Sequence, residues 1–559
     1  MNFLEKIFER LKKDSKESVL EEVRGETIYS ATGMELLARI WQARAWLKQA
    51  GAQPGERCVL LGANSILWAA ADLALMAEGI VVVPLYARQS AKELAVMMRD
   101  AAPARILCAD AALGDAVEKE WPEAPAIALF DDVFGGEKMC IEASLTRSDA
   151  ETAMIIYTSG TSGEPKGVML SMGNVDFILG ATTVRLDQLM GSAKRKFTGS
   201  ETVFHYLPFC FAGSWILLLS CLMRNSRLVL STDLTRLAEE MKLAAPEYFL
   251  NVPALLERVR GKIEGDIAKR GGLVRTIYRR ARLAYLRRQV GKSETLDPIC
   301  LRVAGATVFR AIRKGLGPNL QALFCGSASL APETQLFFFM VGIPVLQVYG
   351  LTETTAICTM DEPGKVTVGR VGPAIPGVEM KLGENDEILA RGPNIFQGYW
   401  RKLEATAKVF RDGCFHTGDQ GDADAKGNWR ITGRIKDLII LSSGHNIAPE
   451  PVEDKLAKLL PGVQQVMLVG NGRSYLGAIL AGTTNHAAPG AGDAEKMQAA
   501  LDEMNAELPH YKQIRAFVIA EQAFSGEEGL MTANGKLRRE AIAARFADEI
   551  EKMYSRKSA

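Results

Sequence analysis

The sequence lacks a disulfide framework, a membrane span, a charge excess and any metal-ligand cluster. Its nine cysteines are scattered singly among 559 residues with no CxxC pair, which argues against a stapled scaffold and for a reducing compartment. The five histidines, His205, His416, His445, His486 and His510, lie too far apart for metal-ligand spacing. Lysine and arginine number 67 against 66 acidic residues, a net charge of +1, so no global cationic field points to nucleic acid. No run approaches the ~18 uninterrupted apolar residues of a spanning helix. Residues 336–348, broken by Gly342 and Pro344, read as buried core. The opening MNFLEKIFERLKKDSKE has acidic interruptions and no apolar h-region, so it is not read as a secretory signal.

What remains is an ordinary globular mixture, 48% apolar and 24% charged, in a chain too long for one core. Strand and helix patterns alternate through the first 150 residues. Short apolar runs at 57–61 and 79–85 flank a helical pattern at 68–77, and the rhythm returns at 201–252 and 320–348. That alternation predicts largely parallel sheets covered on both faces, an α/β fold. Between Gly369 and Arg434 short runs are split by glycine turns, which predicts an antiparallel, barrel-like part. Strand and helix signals resume after residue 435, giving expected domains of 1–434 and 435–559.

Two amphipathic segments stand out. Phe3, Leu4, Ile7, Phe8 and Leu11 recur at helical spacing, the mark of a helix docked on its own protein or lying on a membrane surface. Residues 267–293 carry nine Lys or Arg and no Asp or Glu, with Leu273, Ile277, Ala281 and Ala284 along one helical face. A solvated basic helix and a contact with anionic lipid headgroups or an anionic substrate are both compatible with it.

The stretch YTSGTSGEPKG, residues 157–167, directly follows the apolar run Met154-Ile155-Ile156. Gly160, Gly163 and Gly167 free the backbone. Exposed N–H groups beside the hydroxyls of Thr158, Ser159, Thr161 and Ser162 make an anion-binding concavity, and Lys166 adds a point charge suited to phosphate. The spacing is not a Walker A.

This stretch resembles the phosphate loop of adenylate-forming enzymes, the superfamily of acyl-CoA synthetases, luciferases and peptide-synthetase adenylation domains. Five further segments are similar to that family's motifs and follow in its order: QVYGLTE at 347–353, EILARGP at 387–393, FHTGD at 415–419, GRIKD at 433–437 and NGKL at 534–537. Pro54-Gly55-Glu56-Arg57, Asn64 and Val82-Val83-Pro84-Leu85-Tyr86 also fit. The resemblance implies a two-step reaction with ATP, Mg²⁺ and coenzyme A: a carboxylate attacks the α-phosphate to give acyl-AMP and pyrophosphate, and a thiol then takes the acyl group. It implies a large N-terminal domain of two parallel-sheet subdomains plus the barrel-like part, and a small, mobile C-terminal α/β domain.

Residue by residue, the resemblance assigns Lys536 to the carboxylate and α-phosphate, Glu353 to the metal and Thr352 to the α-phosphate. Asp419 is expected to take the ribose hydroxyls, and Arg434 ribose or phosphate oxygens. Gly326-Ser327-Ala328 and Gln347-Val348-Tyr349-Gly350 are expected to enclose adenine. Lys436 marks the hinge, and Ser443-Gly444-His445 the passage for the pantetheine arm. Residues 251–259 and 442–449 resemble the long-chain branch, which implies a medium- or long-chain fatty acid, with Phe209, Phe211, Trp215 and Phe337-Phe338-Phe339 as candidate tunnel lining. Phe211 stands where the family usually has histidine, and His205 is out of register. The rival readings are a fatty acyl-AMP ligase loading a carrier protein and a noncatalytic acyl- or nucleotide-binding descendant. Against the first, no insertion separates Asp437 from Pro449; against the second, Lys536, Glu353 and Asp419 are intact. The expected location is cytoplasmic, with peripheral contact at the inner membrane surface as an addition.

Overall fold

The computed structural model describes residues 2–136, 147–159, 164–192, 200–460, 462–482, 491–526, 528–532 and 536–555. Two large sheets carry the N-terminal part. In the first, the strands run in the order Gly398–Tyr399, Pro165–Ser171, Thr152–Ser159, Val81–Leu85, Arg57–Leu61, Arg105–Cys108 and Ile127–Leu129. From Thr152–Ser159 to Ile127–Leu129 the neighbours are parallel; Pro165–Ser171 turns back antiparallel. In the second, parallel neighbours run Val345–Tyr349, Ala322–Cys325, Tyr248–Asn251, Glu201–His205, Ser226–Ser231 and Ser18–Arg24. Antiparallel strands Thr359–Met360 and Thr27–Thr32 close its two edges.

The near-continuous apolar strands follow from burial on both faces. Helix Ile66–Ala77, started by the Ser65 cap on the Trp68 N–H, packs against strands of both sheets. It is apolar nearly all round, as a helix enclosed on every side must be. Helix Ala212–Met223 is enclosed in the same way. Each fully buried Leu, Ile or Met here contributes about 1.5–3 kcal/mol.

Helix Phe3–Lys13 opens with a reciprocal Asn2–Glu5 capping box. Phe3, Leu4, Ile7 and Leu11 are buried, and Arg10 donates to the carbonyls of Cys221 and Leu222 at the end of helix Ala212–Met223. Its apolar face is thus occupied by the protein's own core, and the membrane-surface alternative for this helix does not hold. The basic segment forms part of two helices, Pro253–Arg270 and Gly272–Gln289, broken at Gly271 and Gly272, both at positive φ. Ala281 and Ala284 face inward as expected, but Tyr278 joins them and Leu273 is 75% exposed, because it sits in the first turn beyond the neighbouring core.

The antiparallel reading of residues 369–434 is borne out by strands Glu379–Leu382, Glu387–Arg391, Cys414–Ala423, Phe410–Arg411 and Trp429–Arg434. Among the described residues the ladder does not close into a ring. Gly398–Tyr399 from this region pairs instead with Pro165–Ser171 of the first large sheet.

The C-terminal part has a three-stranded sheet, Gln465–Val469, Leu476–Ala481 and Ile514–Ala520, with helices Pro449–Leu459, Ala491–Ala506, Arg539–Arg545 and Ala547–Ser555. The apolar clusters divide between the two parts: three are built from residues up to 415, and two from residues 439 onward. No helix among the described residues is long and apolar enough to cross a membrane.

Candidate active site

The parallel strands Tyr248–Asn251, Ala322–Cys325 and Val345–Tyr349 end side by side, with Asn251, Cys325 and Gln347 in register. Open α/β sheets bind ligands beyond such carboxyl ends. Gly326 and exposed Ser327 and Ala328 follow one strand, and Gly350 follows another. A Cβ on Gly350 would lie 2.2 Å from the Ala356 carbonyl oxygen, so only glycine lets the chain fold back through the Thr352–Thr354 turn. Ser327 is held at φ +72°, a strained conformation for a non-glycine residue.

Asp419 and Arg434 are register partners on adjacent antiparallel strands, with Arg434 Nε 3.0 Å from Asp419 Oδ1. Tyr349 Oη donates to the other carboxylate oxygen at 2.8 Å. Burial and the Asp419 charge push the Tyr349 hydroxyl pKa far up, so it stays a proton donor. Burial alone would lower the Arg434 pKa, but Asp419, Glu450 and Asp437 outweigh it and raise the value. The side chain of Gln347 does not join this group. Its amide donates to Gln335 and to the Arg370 carbonyl, and its backbone N–H and carbonyl are both taken by Asp361.

Thr158 and Lys166 are cross-strand partners at the end of the hairpin formed by Thr152–Ser159 and Pro165–Ser171. Residues 160–163, including the expected phosphate contacts Gly160, Thr161, Ser162 and Gly163, lie outside the described residues, as does the Ser159 side chain. Gly167 admits no side chain: a Cβ would meet Ile155 at 2.7 Å and the tyrosine ring of residue 157 at 3.2 Å. Lys166 Nζ sits 5.2 Å from the centre of the Tyr399 ring. Tyr399 Oη in turn donates to Glu353 Oε1 at 2.8 Å, and burial together with the Glu353 charge raises the Tyr399 pKa. Tyr399 therefore joins the hairpin bearing Lys166 to the acidic turn. Its only sequence signal is an aromatic pair after Gly398; that this strand pairs with Pro165–Ser171 emerges only in the fold.

Thr352 and Glu353 are half-buried in the turn. Among the described residues no group of three or more His, Cys, Asp or Glu is arranged for a metal ion. A single half-buried carboxylate fits Mg²⁺, which takes one or two carboxylates and completes its octahedron with substrate phosphates and water.

Lys536 comes from the C-terminal part. Its backbone N–H donates to Thr532 Oγ1 at 3.0 Å, within a loop closed by a Met531–Leu537 bridge; Asn534 and Gly535 lie outside the described residues. The side chain is exposed to solvent. Desolvation by the surrounding protein, then the charge of Arg434, lowers its pKa, with Lys436 adding to the effect and Asp419 and Glu450 opposing it. Lys536 thus shares the electrostatic field of the Asp419–Arg434 pair. Lys436, in the turn Ile435–Asp437, is also lowered, by burial and then by Arg434. An ion pair between Arg538 and Glu93, 2.6 Å apart, ties the two parts together.

Ser443, Gly444 and His445 form the exposed tip of the hairpin Ile439–Ile440 and Asn446–Ile447. Ser443 Oγ and His445 Nδ1 are 2.9 Å apart, and His445 stacks on Tyr511 at 4.3 Å. These contacts stay within the C-terminal part, so the tip is not gathered with Asp419 and Lys536.

Phe211 packs against Tyr86 at 5.9 Å. His205 is buried and stacked on Phe209, and burial lowers its pKa to about 4; it is a neutral core residue and no substitute for the missing histidine. Phe209 and Trp215 are buried in one apolar cluster, and Phe337 and Phe338 in another.

Two large, mostly parallel sheets followed by a small C-terminal α/β lobe that carries Lys536 are the architecture of a two-part α/β enzyme. A family model described as AMP-binding enzyme matches residues 11–400, and one described as AMP-binding enzyme C-terminal domain matches residues 436–558. The chain belongs to the AMP-binding enzyme family. Among similar curated proteins is the long-chain-fatty-acid–CoA ligase FadD15 of Mycobacterium bovis, 28% identical over 570 residues, covering 94% of this chain and 92% of that one. The adenylation domain of a carboxylate reductase from Mycobacterium chelonae shares the fold, with a TM-score of 0.78, 20% identity, and 99% of this chain and 91% of that chain covered. So does the O-succinylbenzoate coenzyme A synthetase of Bacillus subtilis in complex with ATP and magnesium, at a TM-score of 0.72, 20% identity, and coverage of 96% and 98%.

Proposed function

We propose that this chain activates a medium- or long-chain fatty acid as its acyl-adenylate and transfers the acyl group to coenzyme A. It is an ATP-dependent acid–thiol ligase. The observation that carries this reading is the Asp419–Arg434–Tyr349 group beside the ends of the parallel strands, whose charges act on Lys536 of the C-terminal part. A carboxylate approaching a polyphosphate is a meeting of anions, and fixed cations lower that barrier. In this assignment Lys536 neutralises charge shared by the carboxylate and α-phosphate oxygens. Asp419, already aligned by Tyr349 and Arg434, accepts the ribose hydroxyls, two acceptor oxygens for two donors. Thr158 and Lys166 hold the outer phosphates, and Thr352 the α-phosphate. Glu353, oriented by Tyr399, would hold Mg²⁺, which supplies charge neutralisation of the phosphates when bound.

The large lobe is assigned to residues 1–434 and the moving lobe to 435–559, turning about Lys436. That turn exchanges Lys536 for the Ser443-Gly444-His445 tip at the second step, where Gly444 leaves room for a slim pantetheine arm. The short hairpin between Asp437 and Pro449 has no insertion, which favours coenzyme A over a carrier protein. The expected setting is cytoplasmic, with peripheral contact at an inner membrane surface.

The test is acid-dependent pyrophosphate release without any thiol, across a fatty-acid length series, followed by addition of coenzyme A or of a phosphopantetheine carrier protein. Release with C8–C18 acids and acyl-CoA formation are expected. Silence at every length would leave only a binding protein, and acyl transfer to the carrier alone would select the rival ligase.

A further inference from the structure

The surface outside the active site is uneven in one respect. Seven of the sixteen exposed large apolar side chains among the described residues fall between Leu273 and Val303. They lie on helix Gly272–Gln289, on helix Asp297–Ala306 packed against it, and on the connection between the two. Leu283, Leu286, Val290, Leu296, Ile299 and Val303 follow one another along the two packed helices and their connection, with exposures from 38% at Leu286 to 68% at Val290. On the first helix, Arg275, Arg279, Arg282, Leu283, Leu286 and Val290 share one face at helical spacing, opposite the buried Tyr278, Ala281 and Ala284. The arginines occupy its N-terminal half and the apolar residues its C-terminal half. On the second helix, Ile299, Arg302 and Val303 sit at i, i+3 and i+4.

The cationic side is largely unneutralised. Arg282 lies 3.8 Å from Glu264, and Arg287 is paired with Asp297, while Arg275, Arg279, Arg280 and Arg288 form no ion pair among the described residues. A soluble surface does not ordinarily gather large apolar side chains in this way.

We propose that this two-helix face docks on an anionic lipid bilayer, with the leucine, isoleucine and valine side chains entering the headgroup–acyl boundary and the arginines meeting phosphate headgroups. Charge complementarity decides the occupant. A second copy of the chain would bring like-charged arginine rows together, whereas an anionic bilayer satisfies both halves of the face. Nucleic acid would leave the apolar strip uncovered. The gain for an enzyme acting on fatty acids, which partition into bilayers, rests on the reading above; the docking itself stands on the surface alone. Helix Pro253–Arg270, which precedes this face in the chain and packs against helix Gly272–Gln289, starts where strand Tyr248–Asn251 ends, so a docked face lies one helix away from the edge of the candidate active site.

The test is co-sedimentation of the full chain, without ATP or fatty acid, with phosphatidylcholine vesicles that contain or lack phosphatidylglycerol. Binding is expected only with the anionic lipid and should weaken as salt rises. R275A/R279A should lower the partition coefficient about 25-fold, roughly fivefold for each charge near the surface. L286S/I299S should weaken it with at most a small fall in Tm, since Leu286 is 38% and Ile299 57% exposed. Equal binding to neutral vesicles, no binding to either, or an unchanged coefficient in R275A/R279A would overturn the proposal. So would a concentration-dependent dimer in sedimentation velocity that L286S/I299S abolishes. Because no substrate is present, such a failure leaves the ligase reading untouched, and pyrophosphate release tests that separately.

Discussion

Replacing Tyr399 by phenylalanine removes one atom from the candidate site and little else. The ring remains beneath Lys166, whose Nζ lies 5.2 Å from its centre, and remains edge-on to Phe396 at 4.9 Å. What disappears is the 2.8 Å hydrogen bond to Glu353 Oε1. A hydrogen bond to a carboxylate contributes about 1.5–3 kcal/mol. If that bond orients Glu353 for the metal-bound nucleotide, Y399F lowers kcat/KM for adenylation by about 10- to 150-fold. Glu353 is half-buried, so water replaces part of the interaction and the lower half of that range is expected. The assay is initial-rate pyrophosphate release over a grid of Mg²⁺ and ATP concentrations. The Mg²⁺ requirement should rise, while thioester formation from supplied acyl-AMP stays near wild type. A loss below threefold with an unchanged Mg²⁺ dependence would refute the orienting role, and so would an equal loss in both half-reactions.

Lys536→Ala should reduce adenylation from free acid at least a thousandfold and spare acyl transfer from supplied acyl-AMP; single-turnover assays of each step check the split. Arg538→Gln, or Glu93→Gln, removes a partly exposed tie between the two parts that is worth about 0.2–1 kcal/mol. It should slow adenylation by no more than about fivefold, less at high salt, with no fall in the thioester step. Asp72 is fully buried and accepts one hydrogen bond, from Trp215 Nε1 at 2.9 Å; burial pushes its pKa up to about 7. The folded state therefore keeps a proton that the unfolded chain releases near pH 4, so this carboxyl lowers stability as pH climbs from about 4 to 7, by about 1.4 kcal/mol per unit. Thermal melts of Asp72→Asn should lose that pH slope and exceed wild type above pH 7; parallel slopes would discard the assignment.

Motifs proved legible where the backbone itself imposes the residue. Gly350 cannot carry a Cβ against Ala356, and Gly167 cannot against Ile155, which gives the physical reason for two glycines that the motifs already singled out. Asp419 and Arg434 were legible as separate motif residues, but their pairing depends on a strand register that the spacing of 15 positions does not reveal. Tyr399 and Glu353 are 46 residues apart, and only the seating of strand Gly398–Tyr399 on Pro165–Ser171 brings them together. Gln347 illustrates the opposite case: it occupies a motif position, yet its side chain supports the strand ends rather than the cleft. The candidate tunnel aromatics divide between two cores, a division the sequence did not reveal because hydrophobicity does not say which core a side chain enters. Leu273 failed for a related reason, since periodicity names a face but not how far along the helix its neighbours extend.

The grouping of Arg434, Lys436 and Lys536 around Asp419 and Glu450 would give the lobe arrangement proposed for adenylation a built-in timer. Asp419, Glu450 and Asp437 offset part of the repulsion among these cations, and bound ATP would add further negative charge. Once pyrophosphate departs, the adenylate left behind is far less charged, and that added compensation is lost. Fluorescence energy transfer between labels on the two lobes should accordingly report a shorter distance with ATP than with AMP, and the difference should shrink in Lys536→Ala.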